Sequence, residues 1–421
     1  MYPRHRLDIS VRDLIFGLSA CLWAWRRRKL AADVALACPA EDDVVVCLSV
    51  RSGFGLLLRE IGGSPGDEVL VSAVTHPDMV RIVEERGMRA VPVDLEIATL
   101  APRIEALEAE ITPRTRAVMV AHLFGGRVDL GPIAALARRH GLLLLIEDCA
   151  QAFRGPDDLG DPLADVSMFS FGPIKTASAA GGAIFRIGDP LIRERMLQSQ
   201  EDWPVQRRID YAARLLKLLC LILAGHPLPY GFIVRACGRL GRDLDTLVNG
   251  ATRAFTSSGD ADRSRDELFS RLRRRPSAPL LALLARRLRT YDAARLSRRA
   301  AAGEEVARRL PALFRHPGSQ ALGRTHWLFP VVAPDPEALI SALRRYGFDA
   351  SQAASNIAAV RTPGLPRPEE ASRMMSGVVF LPVYPELPEE ALRRLTQILE
   401  QAAGAGERPI ESLAIARGDI A

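Results

Sequence analysis

Between residues 44 and 187, short apolar runs, many of them β-branched, recur at intervals filled by stretches of helical periodicity. Runs at 44–48, 69–73, 90–93, 117–121, 142–146, 166–171 and 183–187 predict strands, and stretches at 55–61, 78–86, 101–111 and 130–140 predict helices between them. Strands alternating with helices at this spacing predict an α/β fold built on a doubly wound, mainly parallel sheet. The run 142–146 is apolar throughout and ends in Glu147-Asp148-Cys149-Ala150-Gln151. That pattern suits a central strand covered on both faces. Sheets of this kind meet their ligands at the carboxyl ends of the strands, so Asp148 stands where a ligand would be.

The second half is patterned differently. Residues 203–270 are apolar and basic, with an almost continuous apolar helix over 211–223 that His226-Pro227-Leu228-Pro229 breaks before 230–240 resumes. Its uncharged core, 218–225, is too short to span a bilayer. Two readings stand: burial against the protein or a dimer partner, or an interfacial helix with Arg207, Arg208, Arg214 and Lys217 near lipid headgroups. The N-terminus has the same character. Residues 14–25 are apolar, and Arg26-Arg27-Arg28-Lys29 follow rather than precede them, the reverse of a signal peptide. A polar connector at 257–265 leads to a basic cluster at 271–275, then one long Ala/Leu/Arg helix is expected over 280–310. Strands at 327–332 and 378–381, with helices at 336–346 and 388–403, predict a smaller C-terminal α/β domain. The expected division is a helical lead-in at 1–40, a large domain at 41–200, a helical insertion at 201–270, a linking helix at 271–310, the small domain at 311–405 and a tail at 406–421.

Composition adds bounds. A chain of 421 residues with 48% apolar side chains can fill one large core and a smaller one. Its formal charge of +6 is dispersed, without an aromatic-interleaved basic patch, which argues against nucleic acid. The six cysteines show neither close pairing nor metal-ligand spacing, the usage of reduced thiols in a cytoplasmic protein.

The candidate chemistry lies in Phe169-Ser170-Phe171-Gly172-Pro173-Ile174-Lys175. A lysine among small, non-acidic residues is suited to a Schiff base with an aldehyde, because burial lowers its pKa and frees its lone pair. A carboxylate at a strand end, here Asp148, can keep a pyridinium nitrogen protonated. The turn Ser49-Val50-Arg51-Ser52-Gly53, opening a helix, offers N–H groups and a positive helix end to a phosphate.

These residues carry a resemblance. Ile146-Glu147-Asp148-Cys149-Ala150-Gln151, Ser170-Phe171 with Lys175, Pro65-Gly66-Asp67-Glu68-Val69 with Thr75, and Ile111-Thr112-Pro113-Arg114-Thr115-Arg116 followed by His122-Leu123-Phe124-Gly125 occur in one order. Together they resemble the DegT/DnrJ/EryC1/StrS sugar aminotransferases, fold-type I enzymes that use pyridoxal 5′-phosphate (PLP). The resemblance implies a seven-stranded-type sheet domain, a small C-terminal domain and a homodimer with shared sites. It implies Lys175 as the residue that binds the cofactor covalently and moves the proton, Asp148 on the ring nitrogen and Gln151 on the ring oxygen. Ala150 would lie under the ring and His76 over it, in place of the usual aromatic. Arg51, Ser52 and Ser170 would hold the phosphate. Arg273 takes the place of an asparagine that, with Arg275 and Ser277, would reach the neighbouring subunit's phosphate. The implied reaction moves an amino group from an amino acid, glutamate first among donors, to a keto-sugar that is nucleotide-linked or lipid-linked. The alternatives are a membrane-associated or degenerate relative without transaminase activity, and a PLP-dependent sugar dehydratase, which would carry histidine at position 175. Location is expected in the cytoplasm, with peripheral contact to the inner face of the membrane through 10–30 and 207–240.

Overall fold

The apolar runs of the first half pair into one sheet in the computed structural model, which describes residues 1–39, 41–141, 144–224, 265–353 and 355–405. In chain order come α1 (Val11–Trp23), α2 (Arg27–Ala35), β1 (Val44–Cys47), α3 (Val50–Glu60), β2 (Glu68–Ser72), β3 (Val74–Thr75), α4 (Pro77–Glu85), β4 (Arg89–Val93), α5 (Ile104–Ala109), β5 (Thr115–Ala121), α6 (Gly131–Arg139), β6 (Leu144–Asp148), β7 (Val166–Ser170), β8 (Ala183–Ile187) and α7 (Pro190–Glu201). Then follow α8 (Arg208–Ala224), α9 (Arg265–Leu272), α10 (Ala278–Arg289), α11 (Ala293–Arg308), β9 (Phe329–Val332), α12 (Pro336–Arg345), β10 (Ala358–Ala359), α13 (Glu369–Gly377), β11 (Val378–Leu381) and α14 (Glu389–Ala405). The expected first residues of the 142–146 strand, the 230–240 helix and the tail at 406–421 lie outside the described residues, as does nearly all of the 257–265 connector.

The main sheet has seven strands in the order β1-β8-β7-β6-β5-β2-β4. Only β8 runs against the rest, pairing antiparallel with both β1 and β7. The mainly parallel sheet expected from the sequence is therefore present. Each parallel strand is buried nearly end to end, as two-sided coverage by helices requires. One layer joins β-sheet side chains such as Phe185 and Met119 to α3, α4 and α7; the opposite layer joins Phe169, Phe171 and Ile184 to α1, α2, α8 and α10.

Helix α8 belongs to that second layer. Tyr211, Leu215 and Leu218 are fully buried against α1 and α10, each contributing roughly 1.5–3 kcal/mol by burial. Helix α1 starts where Ser10 and Asp13 form a reciprocal capping box. The single helix expected over 280–310 is two helices. Thr290 ends α10, and Asp292 caps α11 by accepting from the Arg295 N–H. That Asp is an N-cap signal the Ala/Leu/Arg pattern obscured. The small C-terminal layer pairs β9 with β11 and packs them on α12 and α14 around Phe329, Phe348 and Leu395. A further two-stranded contact, β10 with β3, brings residues 355–357 over the end of the main sheet.

Candidate active site

Strands β1, β5, β6 and β7 end at one cavity of about 540 Å³. Its walls include Ser49, Arg51, Thr75, His76, Asp148, Ala150, Gln151, Ser170 and Lys175. The two residues that anchor the sequence argument thus meet in one place.

Lys175 stands in the turn after β7, its N–H donating to the Gly172 carbonyl at 3.1 Å. Burial pulls its amine down to about 8, with Arg51 pushing the same way and Asp148 opposing. Nζ lies 4.2 Å from the centre of the Trp327 ring, which is itself fixed by its indole N–H donating to the Ile174 carbonyl at 3.1 Å. Beyond the lysine the chain wraps tightly. Ala177 and Ala180 adopt φ values of 53° and 60°, uncommon for residues with a Cβ. Asp8 holds the turn: its carboxylate accepts from the Ala177 N–H at 3.0 Å and its carbonyl from the Ser178 N–H at 3.1 Å. Gly182, at φ 92°, donates to the Leu48 carbonyl at 2.9 Å and joins this wrap to the end of β1.

Asp148 ends β6. Burial raises its pKa, against the Ala150 N–H that donates to Oδ1 at 2.9 Å and the charge of Lys175. The Asp148 side chain faces the cavity, where it can accept from an N–H donor. Beneath it, Glu147 and His122 form a buried pair at 2.7 Å, and the other ring nitrogen of His122 accepts from the Val128 N–H at 3.0 Å. Burial works against the Glu147 charge, yet His122, Ser167 and the Asp161 N–H hold its pKa at about 2. Cys149 comes within 4.8 Å of this pair. Since both His122 nitrogens are already bonded, the group is a hydrogen-bonded support rather than a vacant metal site.

His76 caps α4, its Nδ1 accepting from the Asp78 N–H at 3.1 Å. Burial, reinforced by Arg51, drops its pKa to about 3, so the ring facing the cavity is neutral. Ser49 caps α3 by accepting from the Ser52 N–H at 3.1 Å. Arg51 pairs with Asp78 at 2.5 Å. Gln151 accepts from the Phe124 N–H at 2.9 Å.

Two expected residues are placed elsewhere. Ser52 is buried, and Arg273 is half-exposed and paired with Glu85; both line a second cavity of about 250 Å³ behind Arg51. Arg275 and Ser277 hold the same segment internally, donating to the Trp203 carbonyl at 2.8 Å and the Gln206 side chain at 2.9 Å. Arg271 and Arg274 reach the main cavity instead. The structure also corrects the reading of Arg214 as a headgroup residue. It lines the cavity and donates to the Ala180 carbonyl at 3.1 Å, its pKa lowered by burial.

Sequence reasoning missed Gln206, Asp210 and Arg214 as site residues, and Ser355 and Asn356 on the roof. Asp210 and Arg214, four apart in an otherwise apolar helix, were the legible signal for that wall. Thr75 Oγ1 is buried at the cavity without a hydrogen-bond partner among the described residues. An orphaned hydroxyl, a neutral ring, a carboxylate facing the cavity and several basic side chains form a set that fits an aromatic, anionic cofactor such as PLP.

Comparison with known proteins agrees. The model of the DegT/DnrJ/EryC1/StrS aminotransferase family matches residues 34–202. A UDP-N-acetyl-3-dehydro-alpha-D-glucosamine 3-aminotransferase of Acidithiobacillus ferrooxidans is 35% identical over 190 residues, covering 42% of this chain and 50% of that protein. A GDP-perosamine synthase of Caulobacter vibrioides is 35% identical over 199 residues, 45% of this chain and 53% of that protein. The chain thus spans about half the length of the curated relatives it matches. The fold similarity runs further: sugar aminotransferase CalS13 from Micromonospora echinospora superposes with a TM-score of 0.65 at 20% identity, covering 95% of this chain and 100% of that one. Residues 34–202, which carry the seven-stranded sheet, Asp148 and Lys175, are thus similar to the DegT/DnrJ/EryC1/StrS aminotransferase family.

Proposed function

We propose that the chain is a PLP-dependent aminotransferase that carries an amino group from an amino acid, glutamate first among donors, to a keto-sugar. The observation that carries this reading is the meeting of a half-buried Lys175, pKa about 8, with a half-buried Asp148 in one cavity at the strand ends. When bound, PLP supplies an aldehyde that reacts with amines and a ring that stores the electron pair left by a broken C–H bond. The protein's part follows from its own groups. Lys175 Nζ, partly neutral near pH 8, would accept the proton from the donor carbon and return it two bonds away, to the carbon on the far side of the donor nitrogen. The Asp148 carboxylate accepts from the ring N–H and keeps that proton in place. Ala150 leaves space for a flat ring, with neutral His76 and orphaned Thr75 at its border. Ser170, Arg51 and the N-terminus of α3 at Ser49 offer the phosphate its donors. Ser52 supports that turn from behind, through its hydroxyl contact with Ser49 at 2.9 Å.

Lysine at position 175 disfavours the dehydratase alternative. Arg273 is proposed to reach the cofactor phosphate of a second subunit in a homodimer, since within one chain it pairs with Glu85. For the location we propose the cytoplasm with peripheral contact to anionic membrane. No helix among the described residues is long and apolar enough to cross a membrane. Yet α1 exposes Val11, Ile15 and Leu22 along one stripe, α8 exposes Ile209, Leu216 and Leu223 along another, and Trp23 and Trp25 stand beside Arg26, Arg28 and Lys29. Flotation with anionic vesicles should carry the protein upward, and Leu22→Asp with Leu216→Asp should abolish this; protein remaining at the bottom would reject the membrane part alone. The enzymatic part is tested by adding glutamate to the PLP-loaded chain. The visible spectrum should shift and 2-oxoglutarate should appear; an unchanged spectrum across a panel of amino acids would favour the degenerate reading.

A further inference from the structure

Helix α8 puts the main cavity and an exposed apolar stripe within its own diameter of each other, about 10–12 Å. Asp210 and Arg214 stand in the cavity wall, while Ile209, Leu216 and Leu223 remain exposed on a neighbouring face. The C-terminal end of α1 is tied to the first turn of this helix. Arg208 donates to the Cys21 carbonyl at 3.2 Å and to the Ala24 carbonyl, and the Trp25 ring, 71% exposed, covers its guanidinium at 3.5 Å. Trp23 is half-exposed two residues earlier, and the exposed cations Arg26, Arg28 and Lys29 follow. Tryptophans beside exposed cations are the composition of a surface that sits among anionic headgroups. The tie through Arg208 sets that surface next to the turn of α8 that borders the cavity.

The cavity wall beside it is basic. Arg271 and Arg274, at and just beyond the end of α9, both reach the cavity. Arg271 is half-exposed and pairs with Glu267 at 2.8 Å within its own helix. Arg274 comes only within 3.9 Å of Asp210, and its Nε is buried with no hydrogen-bond partner among the described residues. A donor left over at a cavity wall suits an acceptor from outside the chain, and guanidinium groups match phosphate oxygens. The apolar part of this wall is aliphatic, from Leu268 and Leu272. Among the described residues that line the cavity there is no Phe, Tyr or Trp, so the platform on which a nucleobase stacks is missing. An alkyl chain needs no such platform.

We infer that the acceptor is a keto-sugar joined through a diphosphate to a long-chain lipid and taken from the membrane surface, with the diphosphate on Arg271 and Arg274 and the lipid passing over α8. The inference rests on the aminotransferase reading for the sugar and on the membrane contact proposed above for the surface, and adds the molecule that joins them. The transfer balances within its two substrates. The donor's CH–NH₂ becomes C=O as the sugar's C=O becomes CH–NH₂, so neither oxidant nor reductant is required. A bilayer that holds both protein and lipid raises the concentration of acceptor at the cavity. The amino donor is water-soluble and gains nothing from this surface, so the basic wall serves the acceptor.

The test uses the full PLP-loaded chain and its Arg271→Gln/Arg274→Gln double variant, both side chains being partly exposed and so open to substitution. Calorimetric titration compares farnesyl diphosphate, a soluble lipid diphosphate, with UDP and with inorganic pyrophosphate. Farnesyl diphosphate should bind the parent about tenfold or more tightly than either, and the double variant should lose about tenfold or more of that affinity, the range of a lost hydrogen bond to a charged group. In flotation, phosphatidylcholine vesicles doped with a long-chain polyprenyl diphosphate should carry more of the parent than vesicles given the same charge as phosphatidylglycerol. The double variant should lose that preference. Equal or tighter binding of UDP would assign the wall to a nucleotide-linked sugar, and equal carriage by the two vesicles would make the membrane a charged surface only; either result overturns the inference. So would a halved sedimentation mass in Leu22→Asp with Leu216→Asp, which would give the stripe to a second copy. Glutamate's effect on the spectrum reads the aminotransferase proposal and these titrations do not, so the two can fail separately.

Discussion

Lysine 175 owes its role to what surrounds it. Its amine is poised because burial penalises the ammonium, and the same penalty has a stability signature. Below pH 8 the folded chain must hold a buried charge; between about 8 and the ordinary lysine value near 10.4 only the unfolded chain carries that proton, so stability rises with pH across this window. Lys175→Met in the cofactor-free chain should therefore gain about 1–3 kcal/mol at pH 7, with the gain shrinking as pH passes 8. Denaturant unfolding at several pH values checks this, and a gain independent of pH would argue against the burial account. Glu147 behaves oppositely. Its pKa of about 2 lies below the ordinary value near 4.3, so its stabilisation is complete above that value and is lost as pH falls towards 2. Glu147→Gln should flatten the acid limb of the unfolding profile; an unchanged limb would show that His122 does not hold the charge. Asp148 was legible in the sequence because it ends an apolar strand, and Lys175 because it follows one in a loop of small residues. Ser355 and Asn356 were not, since nothing local marks a loop that docks over the end of a distant sheet.

Helix α8 shows how one element serves three surroundings. Asp210 and Arg214 line the cavity, Tyr211, Leu215 and Leu218 fill the core, and Ile209, Leu216 and Leu223 remain exposed. The sequence conveyed an apolar helix with scattered cations, and it left open whether those cations faced lipid. Packing against α1 and α10 fixes the rotation that turns Arg214 inward. At their crossing Gly17 admits Leu215, whose Cδ1 would lie 2.9 Å from any added Cβ. Leu215→Ala should cost about 2–5 kcal/mol through the cavity it leaves, and Gly17→Val about 1–3 kcal/mol through overpacking. Both should weaken cofactor retention with Lys175 untouched, because α8 carries a wall of the site. Thermal unfolding and dialysis against buffer would read the two effects; retention equal to the parent would detach α8 from the site.

At the scale of the molecule, the site is assembled from distant parts of the chain. The sheet supplies Asp148, Ser170 and the turn at Ser49, and alternation of strands with helices made that much readable. The roof at 355–357, the strap at 1–8 and the break between α10 and α11 arise from long-range docking, which leaves little mark on local periodicity. Their joint effect is to enclose one amine, and that enclosure is the central claim. The measurement that tests it most directly is the visible absorption of the parent chain and Lys175→Ala after incubation with PLP and removal of the excess. The account predicts a coloured parent that shifts its band when glutamate is added, and a variant that neither retains the covalently bound band nor transaminates. A colourless parent, or full transamination by Lys175→Ala, would contradict it.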